Sequence, residues 1–446
     1  DSTQGKIGLL SRSDFAGTFP TETAKARTGS AVNEAKSFVP EVEEVSEKIT
    51  TSVESNLRLV TKEDGSYFSL SELNGGLKNA KVNDELVQKL GNPKTGYDAP
   101  EWETLLNEMS YDEIFKLVQD GNYYNVAVES IGKPKLLDSD GPSGLNRHVA
   151  GVGGSDKQNW TMYCMPVVIA QSWNTNLSYS FGLSVAAESL SSGNNGWYAP
   201  GANIQRSPFC GRNSEYYSED SLLSGKMAAE SCRGAIANGM NVYLKHYALN
   251  ETESGRIGLF TWASEQAIRE NYLRSFEIAV KEGGANGIMT ALNRVGAVWA
   301  GANRAMTTEI LRDEWGFKGS VVTDSYMGAS YNPIKQSLYG GVTLMLGVGT
   351  SDTIDKSDLT LVAAARKAAK DIIYAWCNSY TISKNHDHSQ DIIKTNVGTF
   401  VQGEKQTPYW CIGLIALDVV VVSGVGVATF FLFRKKKVKE GAISEK

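Results

Sequence analysis

Short apolar segments alternate with longer amphipathic segments along the chain from about residue 100 onward. This alternation of predicted strands and helices is typical of βα units around a parallel sheet. The segments predicted to be strands are KLLDSDG, MPVVIAQSW, GWYAPGANI, NVYLKHYAL, GIMTALNRV, GSVVTDS and GVTLMLGVG. Most of them end in polar or aromatic residues, and barrel enzymes build their active sites at the carboxyl ends of strands. The pattern therefore predicts an α/β fold, a TIM-like (β/α)8 barrel, over residues 99–380.

Two amphipathic segments give the clearest helix signals. One follows Ser264, a candidate N-cap, and its apolar residues recur every four positions until two glycines end the segment. These apolar residues are Ile268, Tyr272, Phe276 and Val280. The other segment runs from Leu359 to Trp376 and predicts the last helix of the barrel.

The segments that flank the predicted barrel are more polar and weakly periodic. Residues 1–40 begin with the apolar run KIGLLSRSDFAGTFP and continue as a linker. Residues 41–98 give no assignment beyond a linker or an insertion. Residues 381–408 predict a polar tether after the barrel.

Residues 410–433 are almost continuously apolar. At a rise of 1.5 Å per residue, a helix of this length exceeds the roughly 30 Å hydrocarbon core of a bilayer, which predicts one transmembrane helix over residues 409–433. The basic tail at residues 434–446 begins with RKKK, and the positive-inside rule predicts that it is cytoplasmic. The barrel is then expected outside the cytoplasm, at the cell membrane.

Composition narrows the possible classes of function. The formal net charge of -6 leaves no basic surface apart from that tail, which argues against nucleic acid as a partner. The five cysteines include no C-x-x-C pair, so neither a zinc site nor a disulfide framework is predicted. Phosphate-binding loops and dinucleotide fingerprints are absent from the sequence, and we expect no cofactor and no metal.

Four polar clusters lie at predicted strand ends, and together they contain carboxylates, cations, a histidine and aromatic residues. They span residues 138–145, 199–220, 245–253 and 316–324. Charged groups can hydrogen-bond the hydroxyls of a sugar, and aromatic rings can cover its apolar faces. The clusters therefore predict a sugar-binding site.

Within these clusters, Asp324 ends the apolar segment SVVTD and is the candidate nucleophile, because glycoside hydrolysis uses carboxyl groups at the scissile bond. A structural Asp that caps the next helix is the alternative. Asp140 precedes a Gly-Pro pair and equally fits a turn. Lys245 and His246 are adjacent, so in a regular strand they point to opposite faces and only one of them serves the pocket.

In order and approximate spacing, these clusters resemble the barrel domain of glycoside hydrolase family 3 across about residues 100–350. The matching motifs are DGPSGL, APGANIQRSP, GRNSEYYSED, KHYALNETE and GFKGSVVTD. The resemblance implies a retaining mechanism with Asp324 as the nucleophile. Glu215 and Glu219 lie in a matching motif and are expected to support the site. The residues implied to bind the sugar hydroxyls are Asp140, Arg212, Lys245 and His246.

Three positions depart from the family pattern. Asn146, followed by Arg147, stands where many relatives have an Arg. Leu292 replaces a Tyr whose hydroxyl approaches the nucleophile in relatives. Ser325 and Tyr326 replace a common Trp. Each departure removes or displaces a contact that the resemblance would otherwise imply.

The resemblance also implies a general acid/base, which most family members take from an α/β sandwich domain. Some relatives carry the sandwich first, and residues 1–40 resemble the tail of such an upstream domain. Single-domain N-acetylhexosaminidases instead use a His in a K-H-F-P-G-H-G motif, which KHYALNETE does not reproduce. We therefore assign no acid/base in this chain and expect an upstream sandwich domain to supply it.

The sequence thus predicts a retaining, exo-acting glycosidase, similar to β-glucosidases or β-xylosidases, that acts on oligosaccharides at the cell surface. The alternative is a noncatalytic, membrane-anchored sugar-binding protein with the same barrel, which Asn146, Leu292 and Ser325 favour. A third interpretation, a barrel that is only a spacer, leaves the charged strand ends unexplained.

Overall fold

The computed structural model describes residues 40–49, 51, 56–75, 80–146, 160–191, 193–257, 259–325, 331–347, 354–379, 416–431 and 433. The predictions for residues 1–39, 381–408 and 434–446 lie outside these residues. The chain divides into two units, Asp1–Val397 and Gly398–Lys446.

The strands of the first unit are short, and those of the central sheet are largely buried, as expected for a parallel sheet covered by helices. The described strands are β1 (Val60–Lys62), β2 (Ala80–Val82), β3 (Tyr124–Asn125), β4 (Leu136–Asp140), β5 (Asn194–Tyr198), β6 (Asn241–Val242), β7 (Leu244–Tyr247), β8 (Phe260–Thr261), β9 (Gly287–Thr290), β10 (Arg294–Val295), β11 (Val298–Trp299), β12 (Ser320–Ser325) and β13 (Leu344–Leu346).

Helices lie between most of these strands. The described α-helices of this unit are α1 (Leu70–Gly75), α2 (Asp84–Leu90), α3 (Glu101–Asn107), α4 (Tyr111–Gln119), α5 (Pro166–Gln171), α6 (Thr175–Ser191), α7 (Ser221–Ala237), α8 (Glu265–Ala267), α9 (Arg274–Lys281), α10 (Ile334–Gly340) and α11 (Leu359–Cys377). Two π-helical segments occupy Ile268–Tyr272 and Ala305–Glu314, and single 3-10 turns occupy Gly96–Asp98, Asn213–Glu215 and Ala300–Ala302.

The central sheet is built from two four-stranded parts. Strands β3, β4, β5 and β6 form one part, and β7, β9, β12 and β13 form the other, with only Tyr243 between β6 and β7. The Gly121 N–H donates to the Met345 carbonyl at 3.0 Å, which joins the segment before β3 to β13 and closes the ring of strands. A side chain would not fit at this seam, because a Cβ on Gly121 would lie 2.5 Å from the Leu344 side chain.

The fold is α/β and TIM-like, but it is not the regular (β/α)8 barrel that the sequence predicted. Neighbouring strands of the described sheet pair in parallel except β3, which runs antiparallel to β4. Parallel strands need a long crossover. Here β3 and β4 are joined by a tight turn, in which the Val128 and Lys133 backbones exchange hydrogen bonds of 2.8 and 3.0 Å.

Six of the seven predicted strands are confirmed as strands of the central sheet. The exception is MPVVIAQSW, which forms helix α5. Pro166 stands in the first helical turn, where its fixed φ is favourable and its missing N–H costs nothing. Pro166, Ile169 and Ala170 are the buried residues of α5 and lie on one face at helical spacing.

The two predicted helices are confirmed with one modification. The Ser264 side chain caps its helix by accepting from the Ala267 N–H at 3.2 Å, but the segment Ile268–Tyr272 then widens into a π-helical turn before α9. The segment that starts at Leu359 forms α11, whose buried face packs on the barrel.

The described residues between 56 and 98, for which the sequence indicated only a linker or an insertion, form a layer of the first unit. Strands β1 and β2 pair antiparallel, and Leu59 and Leu73 are completely buried in the main core. The Leu59 N–H donates to the Ile131 carbonyl at 2.9 Å, which ties this layer to the turn between β3 and β4.

The second unit contains a helix at residues 416–431. Within the described parts of the chain, no helix has both the length and the apolar character to cross a bilayer. This finding corrects the predicted transmembrane helix over 409–433, of which residues 409–415 and 432 lie outside the described set.

Candidate active site

A cavity of about 300 Å³ opens at the carboxyl ends of the barrel strands. The barrel brings together at this cavity all five residues that the sequence indicated for the site, although their roles stay predictions. The residues that line it are Tyr123, Asp140, Tyr198, Arg212, Lys245, His246, Glu253, Arg256, Met289, Asp324, Ser325 and Leu346.

Asp324 is held near the end of β12. Val321 and Val322 on this strand are completely buried, and Asp324 itself is 6% exposed. Its Oδ2 lies 3.3 Å from Arg256 Nη1 and 3.9 Å from His246 Nε2, and its Oδ1 accepts from the Ser325 N–H at 2.7 Å. The carboxylate is therefore fixed in position by its own strand, with one oxygen beside a cation.

Asp140 and Lys245 form the second polar group of the cavity. The Lys245 Nζ donates to Asp140 Oδ1 at 2.6 Å, and the Gly141 N–H donates to the same oxygen at 2.8 Å. Burial alone would raise the pKa of Asp140, but the attraction and hydrogen bond of Lys245 lower it below its ordinary value. Asp140 is thus an ionised acceptor, one-third exposed to the cavity, that can bind a sugar hydroxyl.

Arg212 stands beside the turn Asn213–Glu215, and it is oriented by acidic neighbours. Its Nε pairs with the Glu215 carboxylate, and its Nη1 lies 3.8 Å from Glu253 Oε1. Glu215 Oε2 is also 3.8 Å from Lys245 Nζ, so this carboxylate joins two of the cations predicted to bind sugar. Glu219, from the same motif, is exposed and does not line the cavity.

His246 is held by its backbone and by its ring. The side chain of Asn203 binds both sides of this residue, accepting from the His246 N–H at 2.7 Å and donating to its carbonyl at 3.0 Å. The ring Nδ1 lies 3.2 Å from the Tyr216 hydroxyl. Burial, and then the cations Arg212, Lys245 and Arg256, lower the pKa of His246 well below its ordinary value, so the ring is neutral.

The prediction that only one of Lys245 and His246 serves the pocket is wrong, because both line it. The reason is an irregularity in β7. Leu244 pairs with Ile288 and Tyr247 pairs with Thr290, so three steps on β7 match two steps on β9. An extra residue of this kind breaks the alternation of faces.

Sequence reasoning gave no role to Glu253, the last residue of the KHYALNETE cluster, and missed Arg256, and both are charged residues of the cavity. Arg256 Nε lies 3.2 Å from Glu253 Oε2, and Arg256 also reaches Asp324. A signal was available, since ESGR directly continues the KHYALNET segment, but nothing in the spacing indicates that this loop folds back over β12. Tyr123, an aromatic residue just before β3, was missed as well.

The departures from the family pattern have different structural settings. Leu292 is buried in a small cluster with Val298, Trp299, Ala302 and Tyr331 and does not line the cavity. Ser325 does line it. The Asn146 N–H donates to the Asp140 carbonyl at 2.7 Å. Arg147 and Tyr326 lie outside the described residues.

Each carboxylate that lines the described cavity lies beside a cation. Asp140 lies beside Lys245, whereas Asp324 and Glu253 lie beside Arg256. Because Lys245 lowers the pKa of Asp140 below its ordinary value in spite of burial, which raises it, this side chain is suited to accept hydrogen bonds rather than to donate a proton. No group of three or more His, Cys, Asp or Glu able to hold a metal occurs in the described part of the chain.

Known proteins are similar to this chain in sequence and in fold. Beta-glucosidase A of Butyrivibrio fibrisolvens is 35% identical over 292 residues, which cover 61% of this chain and 34% of the relative. An exo-alpha-(1->6)-L-arabinopyranosidase of Bifidobacterium longum is 34% identical over 224 residues, covering 49% of this chain and 30% of the relative. The structure of beta-glucosidase 3B from Thermotoga neapolitana in complex with alpha-D-glucose aligns with a TM-score of 0.57 at 28% identity, covering 63% of this chain and 43% of that one.

The chain spans about a third of the length of the curated relatives it matches. The matching family model is described as the glycosyl hydrolase family 3 N terminal domain and covers residues 125–372, which include β4 to β13 and all five predicted site residues. This chain therefore belongs to glycosyl hydrolase family 3 and contains its N-terminal domain.

Proposed function

We propose that this chain is the barrel of a retaining, exo-acting β-glycosidase in which Asp324 is the nucleophile. The observation that carries the proposal is the position of Asp324, a rigidly held carboxylate at the end of β12 that faces a small cavity lined by hydrogen-bonding cations and Asp140. A pure sugar-binding site has no need of a carboxylate that is fixed in this way.

In the proposed reaction, an Asp324 oxygen attacks the anomeric carbon of a terminal sugar while the bond to the leaving-group oxygen breaks. The leaving oxygen takes a proton from a general acid, and a covalent glycosyl ester remains on Asp324. Water then attacks the same carbon, gives its proton to the base and releases the sugar with its anomeric configuration retained. Asp140, Lys245, Arg212 and the neutral His246 hold the hydroxyls of this sugar.

The names of the relatives support a pyranoside substrate but do not fix which one. Several similar proteins are β-glucosidases, whereas two are arabinopyranosidases with 34% identity. A hexopyranose and a pentopyranose differ by one exocyclic hydroxymethyl group, so we propose a terminal β-glucoside or a closely related pyranoside. Action at the cell surface stays a prediction from the sequence.

The general acid is proposed to come from outside the described residues, as in an upstream sandwich domain. Most family members take this group from a sandwich domain, and KHYALNETE lacks the His motif that single-domain members use instead. Positioned acid/base catalysis contributes about 10²- to 10⁴-fold to the rate. The barrel then cleaves glycosides with good leaving groups and little else.

Trapping of the covalent intermediate tests the nucleophile directly. We expect 2-deoxy-2-fluoro-β-D-glucosyl fluoride to add one fluoroglucosyl group to the chain, located on Asp324 by peptide mass spectrometry. Fluoride leaves without protonation, so the adduct forms even where the general acid is missing.

The matched variants are Asp324→Asn and Asp313→Asn, the second being an exposed Asp that does not line the cavity. Only Asp324→Asn should abolish labelling. An adduct on a different residue, or no adduct in a protein that still binds glucose, would overturn the assignment.

A noncatalytic sugar-binding protein is the second candidate, favoured by the departures from the family pattern at Asn146, Leu292 and Ser325. Binding of glucose by calorimetry together with failure of every fluoro sugar to label Asp324 would select it.

A further inference from the structure

Tyr123 has an unusual backbone for a large side chain. It lies just before β3, and its φ is 56°, in the left-handed region that bulky residues rarely adopt. Such outliers persist where the surrounding structure holds them, and they are concentrated at functional sites. The conformation places the Tyr123 side chain in the wall of the cavity.

Two neighbours hold Tyr123 in place. Its carbonyl accepts from the Asp138 N–H of β4 at 2.9 Å. Its ring packs on the ring of Tyr198 from β5, with centroids 5.5 Å apart and an angle of 33° between the planes. The side chain is therefore fixed by two strands of the barrel.

The hydroxyl of Tyr123 differs from that of the other cavity tyrosine. The Tyr198 hydroxyl is used inside the protein, where it donates to Asp138 Oδ2 at 3.2 Å. The Tyr123 hydroxyl makes no hydrogen bond to any other described residue, although its side chain is half-buried. A hydroxyl at the wall of a polar cavity without a protein partner is available to a ligand.

The charges around Tyr123 keep this hydroxyl a donor. Burial raises the pKa of Tyr123 above its ordinary value, and the nearby carboxylates of Asp140 and Asp324 raise it further. The phenol therefore stays protonated throughout the pH range in which glycosidases work. Tyr123 lines the same cavity as both carboxylates, Asp140 and Asp324.

We propose that Tyr123 is a further substrate-binding residue, which donates a hydrogen bond to a hydroxyl of the terminal sugar and covers part of its apolar face. A sugar hydroxyl that donates to Asp140 or Asp324 still has a lone pair on its oxygen. In this proposal the Tyr123 hydroxyl donates a hydrogen bond to that lone pair. The inference rests on the proposed function in so far as the ligand is a pyranoside.

The test compares Tyr123→Phe with Tyr124→Phe. Tyr124 is the next residue along the chain, lies in β3, does not line the cavity, and has the Lys135 Nζ 4.0 Å from its ring centroid. Both changes remove one hydroxyl and keep the ring. With 2,4-dinitrophenyl β-glucoside we expect kcat/KM to fall about tenfold or more for Tyr123→Phe, because a buried hydrogen bond to the substrate is lost, and to stay within about twofold for Tyr124→Phe.

An unchanged kcat/KM in Tyr123→Phe would overturn the proposal, as would an equal loss in both variants. Calorimetry with glucose separates this result from the proposed function. If Asp324 is never labelled but Tyr123→Phe still weakens glucose binding about tenfold relative to Tyr124→Phe, the hydrolase assignment fails and the binding role of Tyr123 stands. If Asp324 is labelled and Tyr123→Phe leaves glucose binding unchanged, the hydrolase assignment stands and the proposed role of Tyr123 fails.

Discussion

The contact of Lys245 with Asp140 affects both the ionisation of Asp140 and the stability of the fold. It is buried, and it forms the close ion pair that keeps Asp140 ionised at the cavity. Because the pKa of Asp140 is depressed in the folded protein, the stability from this pair is present above the unfolded value of about 3.9 and is lost as the pH falls below it. The ion pair that we propose for substrate binding therefore also stabilises the fold.

We predict that Lys245→Met moves the acidic limb of the kcat/KM profile to higher pH. The cation that lowers the pKa of Asp140 is gone, and burial, which raises it, remains. The free energy of unfolding should also fall by about 1–3 kcal/mol, because a mostly buried carboxylate loses its partner. The measurements are a pH profile with an aryl glucoside and urea unfolding. Lys281→Met, at an exposed lysine paired with Glu277, is the control, and an identical profile for the two variants would contradict the prediction.

At the scale of the element, β7 illustrates the limit of pattern reasoning. The apolar run around Lys245 and His246 predicted a strand correctly, because buried runs of this length are typical of parallel sheets. The alternation of faces along it was predicted wrongly, because the extra residue opposite β9 depends on the partner strand. Similarly, the apolar run in α5 does not distinguish strand from helix by periodicity alone, and the proline at its start was the missed signal.

Helix α11 shows how a cap contributes to stability away from the site. The Asp358 Oδ1 accepts from the Leu361 N–H at 3.0 Å, and its Oδ2 accepts from Lys335 Nζ at 2.7 Å. We predict that Asp358→Ala lowers the free energy of unfolding by about 1–2 kcal/mol, whereas Asp358→Asn, which keeps an acceptor for the cap, costs only a few tenths. Thermal unfolding measures both, and labelling of Asp324 should be normal in each. Equal losses would mean that the ion pair rather than the cap matters.

For the whole molecule, the order of the βα units and the position of the site could be predicted from the sequence, because polar residues at strand ends mark the active face of a barrel. The irregular seam, the antiparallel β3 and the layer at residues 56–98 could not, since they depend on contacts between distant segments. Arg256 was missed for the same reason. Arg256 lies in a turn, and its contact in the site is with Asp324, which lies far along the chain on β12.

The proposal that the general acid lies outside the described residues gives a prediction for the activity of this chain. If it is correct, kcat/KM should fall steeply as the leaving group becomes more basic, and alkyl β-glucosides should react about 10²- to 10⁴-fold more slowly than they would with a positioned acid. A series of aryl β-glucosides measures the slope, with fluoro sugar labelling as the control for an intact site. A shallow slope would mean that this chain supplies its own proton donor.

The closure of the barrel at Gly121 and Met345 has a consequence for how the cavity forms. The hydrogen bond joins the beginning of the domain to its last strand, so the wall that carries Tyr123 and Asp140 meets the wall that carries Asp324 and Leu346 only after the intervening chain has folded. Contacts between such distant segments form slowly, because a large loop must be closed before they contribute. Sugar affinity should therefore appear late and all at once during refolding, and a chain cut between the two walls should bind only while its pieces stay associated.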